Sequence, residues 1–280
     1  MAAAMLVTAI VAAYNEERHI AECLASLLDQ TYEPLEIIVV DDGSTDATAA
    51  AVRTFAQVKL LQRPHEGKAR AINAAAQAAR GEILLFLDAD LRFDRVYVAA
   101  LVAPIVAKQS AGTCHATELV ANPTNVWSRC LQVSHGLPAD RRLALTSSQV
   151  AAGTIVFRAV RRQRFLDAGG FDDTGFFDDQ TLSPKIGRAD YVTGAVCHHS
   201  NPERLSEVFG SGVWAGKSIH HLHGARALWR YFPGLAVLDA LAAAGRARMA
   251  ALFPYALVYR TGVFWGLLKR TTGLDKSMGR

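Results

Sequence analysis

Two stretches of this chain end an apolar run in carboxylates. In Val39-Val40-Asp41-Asp42-Gly43-Ser44-Thr45-Asp46, two acids stand where a buried strand would meet solvent. Gly43 permits a turn, and Ser44, Thr45 or Asp46 can cap a helix that follows. A carboxylate so placed can also accept hydrogen bonds from a base N–H or a ribose hydroxyl. Leu84-Leu85-Phe86-Leu87-Asp88-Ala89-Asp90 closes a second run with an Asp-x-Asp pair. In extended backbone, residues i and i+2 point to the same side, so both carboxylates can approach one cation. Oxygen ligands of this kind suit Mg2+ or Mn2+, which would also neutralise a diphosphate. Either stretch alone fits plain turn or strand-end chemistry; two acidic strand ends in one sheet fit it less well.

Such residues need a frame. Apolar runs at 6–12, 36–40, 58–61 and 83–87 recur at roughly regular intervals and read as strands. Between them, Ile20, Leu24, Leu27 and Leu28 share one helical face, 47–55 follows a Ser/Thr/Asp cap, and 68–79 is alanine-rich. Strands alternating with helices imply an α/β domain with a mainly parallel sheet covered on both faces. Ligands of such sheets bind beyond the carboxyl ends of the strands, where the acids lie. Further on, the pattern predicts helices over 94–108 and 178–188 and strands over 150–157 and 191–197.

Taken in order, these residues resemble the large inverting glycosyltransferase family with the GT-A fold, family 2. The matching segments are Ala13-Tyr14-Asn15-Glu16-Glu17, Asp41-Asp42-Gly43-Ser44-Thr45-Asp46, Gly67-Lys68-Ala69-Arg70-Ala71-Ile72-Asn73 and Asp88-Ala89-Asp90. Gly169-Gly170-Phe171-Asp172 and Phe177-Asp178-Asp179-Gln180-Thr181-Leu182 follow, so the likeness covers about residues 5–220. It implies transfer of a sugar from a nucleotide diphosphate sugar to an acceptor hydroxyl, with inversion and a Mg2+ or Mn2+ cofactor. Ala13 (where relatives usually have proline), Tyr14, Glu16, Asp41 and Asp42 would hold the nucleoside. Arg63 and Lys68 would lie near the phosphates, and Asp88 and Asp90 would serve the ribose and the metal. Asp179 aligns with the family's catalytic base; a helix starting there would help keep it ionised. His198 is the expected third metal ligand, with His199 as its stand-in. Lys217 could touch phosphate, although Trp214-Ala215-Gly216-Lys217 lacks the Gln-x-x-Arg-Trp motif of processive relatives. A sugar nucleotidyltransferase would open on a glycine-rich basic loop, and Ala12–Glu16 is not one. A catalytically silent nucleotide-sugar-binding protein fits poorly with so many acids retained.

Composition sets the surroundings. Hydrophobic residues are 51% and charged residues 20% of the 280, an ordinary folded composition. The net charge of +4 is uneven: residues 224–280 carry nine Lys/Arg against two Asp/Glu. This tail interleaves its arginines with Trp229, Tyr231, Phe232, Phe253, Tyr255, Tyr259, Phe264 and Trp265. Residues 249–268 approach spanning length, but Arg260 interrupts them and Pro254 should break them, which suits a helix lying at a membrane interface. The expected division is therefore a catalytic domain over 1–223 and a helical, membrane-apposed extension over 224–280. A lipid-linked acceptor would suit such a tail, at the inner face of the cell membrane; nucleic acid is not an expected partner. The four cysteines are scattered and fit reduced thiols in the cytoplasm. The amino-terminal apolar run lacks a basic n-region and reads as a first strand.

Overall fold

The structure, a computed structural model, describes residues 4–143, 145–174, 178–218 and 225–272. The chain runs β1 (Val7–Ala13), α1 (Ile20–Leu28), β2 (Leu35–Asp41), α2 (Thr48–Arg53), β3 (Val58–Gln62), α3 (Lys68–Ala78) and β4 (Ile83–Asp88). Then come β5 (Leu91–Phe93), α4 (Tyr97–Val106), β6 (Gly112–Val120), α5 (Val126–Ser134), β7 (Arg141–Leu143), α6 (Ser147–Ala152), β8 (Ala159–Arg161) and α7 (Arg162–Asp167). A 3-10 turn at Asp178–Gln180 precedes α8 (Ser183–Ile186) and β9 (Asp190–His199). The last elements are α9 (Leu205–Ser218), α10 (Ala225–Arg230), α11 (Pro233–Ala247) and α12 (Leu252–Thr272). The chain divides into two compact units, Met1–Leu119 with Leu143–Ser200, and Val120–Arg142 with Asn201–Arg280.

The first unit is built on a sheet in the order β3-β2-β1-β4-β8-β6-β9-β5. Strands β1 to β4 pair in parallel, as the regular apolar runs predict, while β8 adds antiparallel to β4 and β5 adds antiparallel to β9. The central strands β1, β2 and β4 are mostly apolar and buried because helices cover both faces, whereas β3 at the sheet edge exposes Lys59 and Gln62. Val11, Val39, Leu85 and Leu87 pack on one face with Leu24 and Leu27 of α1 and Leu101 and Ile105 of α4. Ile10, Ile38, Val40, Leu84 and Phe86 pack on the other with Ala69, Ile72, Ala75 and Ala76 of α3. Each large side chain so buried contributes about 1.5–3 kcal/mol. The register pairs Ala13 with Asp41 and Ala12 with Asp88. The carboxyl ends of the three central strands are therefore level, and the acids stand side by side.

Two expected elements are replaced. The strand over 150–157 is absent. Thr146 and Gln149 close a reciprocal capping box that starts α6, and Gly153 ends that helix at φ 66°. Of the residues after it, Thr154 alone forms a bridge, to Ala189, before β8 begins at Ala159. The helix over 178–188 is broken: Pro184 lacks the N–H a continuing helix would donate, so α8 starts afresh and ends at Gly187. Asp179 therefore sits in a single 3-10 turn, where little macrodipole is available to it.

The second unit is helical. Gly212 and Gly216 of α9 face Gly262 and Gly266 of α12, each lying against the other helix's backbone. A Cβ on any of the four would collide with a carbonyl oxygen, of Tyr259, Val263, Phe209 and Val213 respectively. Cys130, Val208, Leu252 and Tyr255 form a small buried cluster within this unit. Arg260 is paired inside it, donating through Nη2 to Asp239 at 2.8 Å and lying 5.4 Å over the Tyr231 ring, while its buried Nε has no hydrogen-bond partner. Pro254 does not break α12 but stands in its first turn, where a missing N–H costs nothing. No helix among the described residues is long and apolar enough to cross a membrane. The expected boundary at 223/224 lies outside the described residues, and α9 joins the later helices through its glycine seam with α12.

Candidate active site

The loop after β1 and the loop after β2 are tied together before any ligand is considered. Asn15, at φ 56°, accepts from Thr45 N at 2.8 Å, and its own N–H donates to Ser44 Oγ at 2.9 Å. Glu16 N donates to Thr48 Oγ1, Glu17 N to Asp46 Oδ2, and Ala47 N to Glu17 Oε2. Asp41 accepts from Ser44 N at 2.9 Å and from Gln62 Nε2 at 3.3 Å. Asp42 accepts from Glu66 N and Gly67 N, both at 3.0 Å, and lies 2.9 Å from His65 Nδ1. Its carboxylate thus staples the segment that starts α3. Gly43 is required here, since its φ is +78° and a Cβ would lie 2.7 Å from His65 N. His65 in turn stacks on Tyr14, ring centroids 4.1 Å apart, which leaves one half-exposed aromatic face at the strand ends. Arg63 pairs with Glu66 at 3.1 Å, and its buried Nε has no partner.

The Asp-x-Asp pair divides its labour. Asp88 pairs with Lys68 through one oxygen and with Arg158 through the other, at 2.9 Å. Burial opposes its ionisation, but the charges of Lys68 and Arg158 overcome it and hold its carboxyl far below the usual range. Asp90 lies 3.2 Å from His199 Nε2, and both Asp90 Oδ1 and His199 Nδ1 are buried without a hydrogen-bond partner. Glu16 joins this acidic group: burial, then Asp90, Asp88 and Asp46, push its carboxyl up to about 8.

Asp178 and Asp179 differ in employment. Asp178 accepts from Thr174 N at 3.2 Å and from Thr174 Oγ1 at 2.8 Å. Among the described residues Asp179, half-buried beside it, has no hydrogen-bond or ion-pair partner, while its field reaches both Lys68 and Arg158. The preceding turn is held by Asn73 of α3, which accepts from Phe171 N and donates to Phe171 O.

Ala13, Tyr14, Glu16, Asp41, Asp42, Arg63, Lys68, Asp88 and Asp90 thus come to one edge of the sheet. His198 pairs with Asp94 at 3.0 Å, and it is His199, opposite Leu91 in the register, that meets Asp90. Lys217 lies in the last turn of α9, in the second unit. Sequence reasoning missed Arg158 and His65. Arg158 is a lone base after an apolar run, and only the pairing of β8 with β4 brings it to Asp88.

The sequence model described as Glycosyl transferase family 2 matches residues 8–169. A putative glycosyltransferase EpsH of Bacillus subtilis is 39% identical over 88 residues, 30% of this chain and 26% of that protein. A poly-beta-1,6-N-acetyl-D-glucosamine synthase of Staphylococcus aureus is 26% identical over 225 residues, 75% of this chain and 53% of that one. The chain spans at most about half the length of these curated relatives. Among solved structures, a mannosyltransferase from Pyrobaculum calidifontis in complex with GDP-Man and Mn2+ aligns with a TM-score of 0.55 at 24% identity, covering 96% of this chain and 88% of that one. S. aureus TarS in complex with UDP-GlcNAc aligns with a TM-score of 0.56 at 17% identity, covering 98% and 93%. Both likenesses concern the fold.

Proposed function

From the premise that this chain belongs to glycosyl transferase family 2, we propose that it transfers a sugar from a nucleotide diphosphate sugar to an acceptor hydroxyl with inversion at the anomeric carbon. The observation that carries the reading is the cluster of Asp88, Lys68, Arg158, Asp90 and His199 at the level carboxyl ends of the sheet. The mannosyltransferase and TarS, solved with nucleotide sugars, lend support. The stacked Tyr14 offers a face for the base, and the strand-end acids offer acceptors for nucleoside hydroxyls and N–H groups.

Asp90 Oδ1 and His199 Nδ1, buried and unpartnered, fit a Mg2+ or Mn2+ ion, so we assign Asp90 and His199 to it in place of the expected Asp88, Asp90 and His198. When bound, the cation supplies charge neutralisation to the departing diphosphate. Asp88, already paired twice, orients Lys68 and Arg158 and leaves ligation to its neighbour. Arg63 and Lys68, with parts of their side chains exposed, are available to phosphate oxygens. Asp179 takes the acceptor hydroxyl's proton as that oxygen attacks the anomeric carbon and the bond to the nucleotide phosphate breaks. In the second unit, Trp229, Phe232, Leu235, Leu238 and Leu241 are exposed, as are Arg230, Arg246 and Arg248. This surface supports docking on an anionic membrane leaflet and hence a lipid-linked acceptor.

The direct test is release of free nucleotide diphosphate from UDP- and GDP-sugars with Mn2+ and extracts containing acceptor. Release that EDTA abolishes is expected. No release with any donor, together with no thermal stabilisation by any of them, would overturn the transferase reading.

A further inference from the structure

A second group of ligand-type side chains lies in the first unit and takes no part in the chemistry above. His115 and Glu118 are on β6 and Cys197 is on β9, the neighbouring strand in the sheet. His115 and Cys197 are buried and Glu118 is nearly so. His115 Nε2 lies 3.3 Å from Glu118 Oε2, and Cys197 Sγ lies 3.7 Å from His115 Nδ1. One ligand atom from each of the three falls within 4.8 Å of the others. Tetrahedral zinc, with bonds of about 2.0–2.3 Å, sets its ligand atoms roughly 3.3–3.8 Å apart. The group is therefore about 1 Å of contraction from such a geometry.

We propose that His115, Glu118 and Cys197 form a Zn2+ site, separate from the Asp90–His199 pair. The donor set decides the ion. A thiolate, an imidazole and one carboxylate suit a borderline-soft cation, whereas Mg2+ and Mn2+ favour oxygen. Tyr97 of α4 places its hydroxyl 2.9 Å from His115 Nδ1, which directs Nε2 toward Glu118. An outer hydrogen bond of this kind orients a metal-ligating histidine. Without metal the same atoms form a chain in which Tyr97 donates to His115 Nδ1 and His115 Nε2–H donates to Glu118. On binding, the imidazole turns its Nε2 lone pair to the ion while Nδ1–H donates to Tyr97. The Cys197 S–H bond gives its proton to water as the zinc–sulfur bond forms. Burial pushes the Cys197 thiol well up, so a cation at this spot is what would ionise it. The bound ion ties β6 to β9, the strand that carries His199, and is independent of whether the chain transfers sugar.

Full-length protein stripped with a chelator and dialysed against Zn2+ should keep about one zinc per chain, measured by elemental mass spectrometry. Asp90→Asn should keep that zinc, and Cys197→Ser should lose it. Tyr97→Phe should weaken zinc affinity about 10–100-fold, the scale for losing an outer-shell hydrogen bond. Co2+ bound to the unmutated protein should show thiolate-to-metal charge-transfer absorption, a readout that needs no variant to fold. No retained zinc, zinc that persists in folded Cys197→Ser, zinc lost in Asp90→Asn, or Co2+ bound without that absorption would each overturn the site.

Discussion

Asp178 and Asp179 are adjacent in the chain, yet one is bound to Thr174 and the other, among the described residues, is held by no hydrogen bond. That difference sets opposite expectations for the two amides. Asp179→Asn removes the proton acceptor while keeping the shape, so kcat should fall roughly 10²–10⁴-fold with little change in donor affinity. Asp178→Asn should instead lower the melting temperature through a loss of about 0.5–1.5 kcal/mol and leave most of the rate intact. Steady-state kinetics beside thermal melts separate the two; a mild Asp179→Asn and a crippled Asp178→Asn would move the base to Asp178. Glu16 gives a pH signature. Its carboxyl is raised from the ordinary 4.5 to about 8, so its contribution to stability is full below 4.5 and is lost as pH rises through 8. A divalent cation beside Asp90 would favour the ionised form. Mn2+ binding at pH 7 should thus release a proton, seen as a buffer-dependent heat in titration calorimetry, and Glu16→Gln should abolish that dependence.

At the scale of the element, the glycine seam between α9 and α12 gives the sharpest stability test. Gly266→Ala places a methyl against Val213 O and should destabilise by about 1–3 kcal/mol, as overpacking does, whereas Gly245→Ala meets open space. Comparable melting temperatures for the two variants would contradict the close crossing. The same scale shows what the sequence could disclose. Strands β1, β2 and β4 were legible because burial on both faces writes them as mostly apolar runs, β3 followed from the regular spacing despite its exposed Lys59, and the acids followed as strand ends. β6 was not, because Thr113, His115, Thr117 and Glu118 interrupt its apolar residues while its neighbouring strands β8 and β9 come later in the chain. For the same reason, Arg158 and the choice of His199 over His198 depend on antiparallel pairings that no local pattern encodes. The helix expected over 178–188 failed on a local signal that was present, Pro184. Asp42 was read as a ligand for the nucleoside, and its first employment is to accept two backbone N–H groups.

At the scale of the whole molecule, the exposed apolar and basic side chains of the second unit predict where the protein is found. Each basic residue near an anionic leaflet contributes about 1 kcal/mol, so a few of them together with the exposed Trp229, Phe232 and leucines should give measurable binding. The intact protein should float with anionic liposomes at low salt, and less with neutral ones or at high salt. An intact, monodisperse protein that stays at the bottom of the gradient would argue against membrane docking. The α9–α12 seam has a bearing on that experiment. Where the two helices meet backbone to backbone, dispersion and weak Cα–H···O contacts add to the apolar burial of Val208, Leu252, Tyr255 and Val263. Such contacts persist in hydrocarbon, where the hydrophobic effect between helices vanishes. Mild detergent should therefore dissolve the exposed apolar surface while α9 and α12 stay paired, their amides remaining slow to exchange for deuterium.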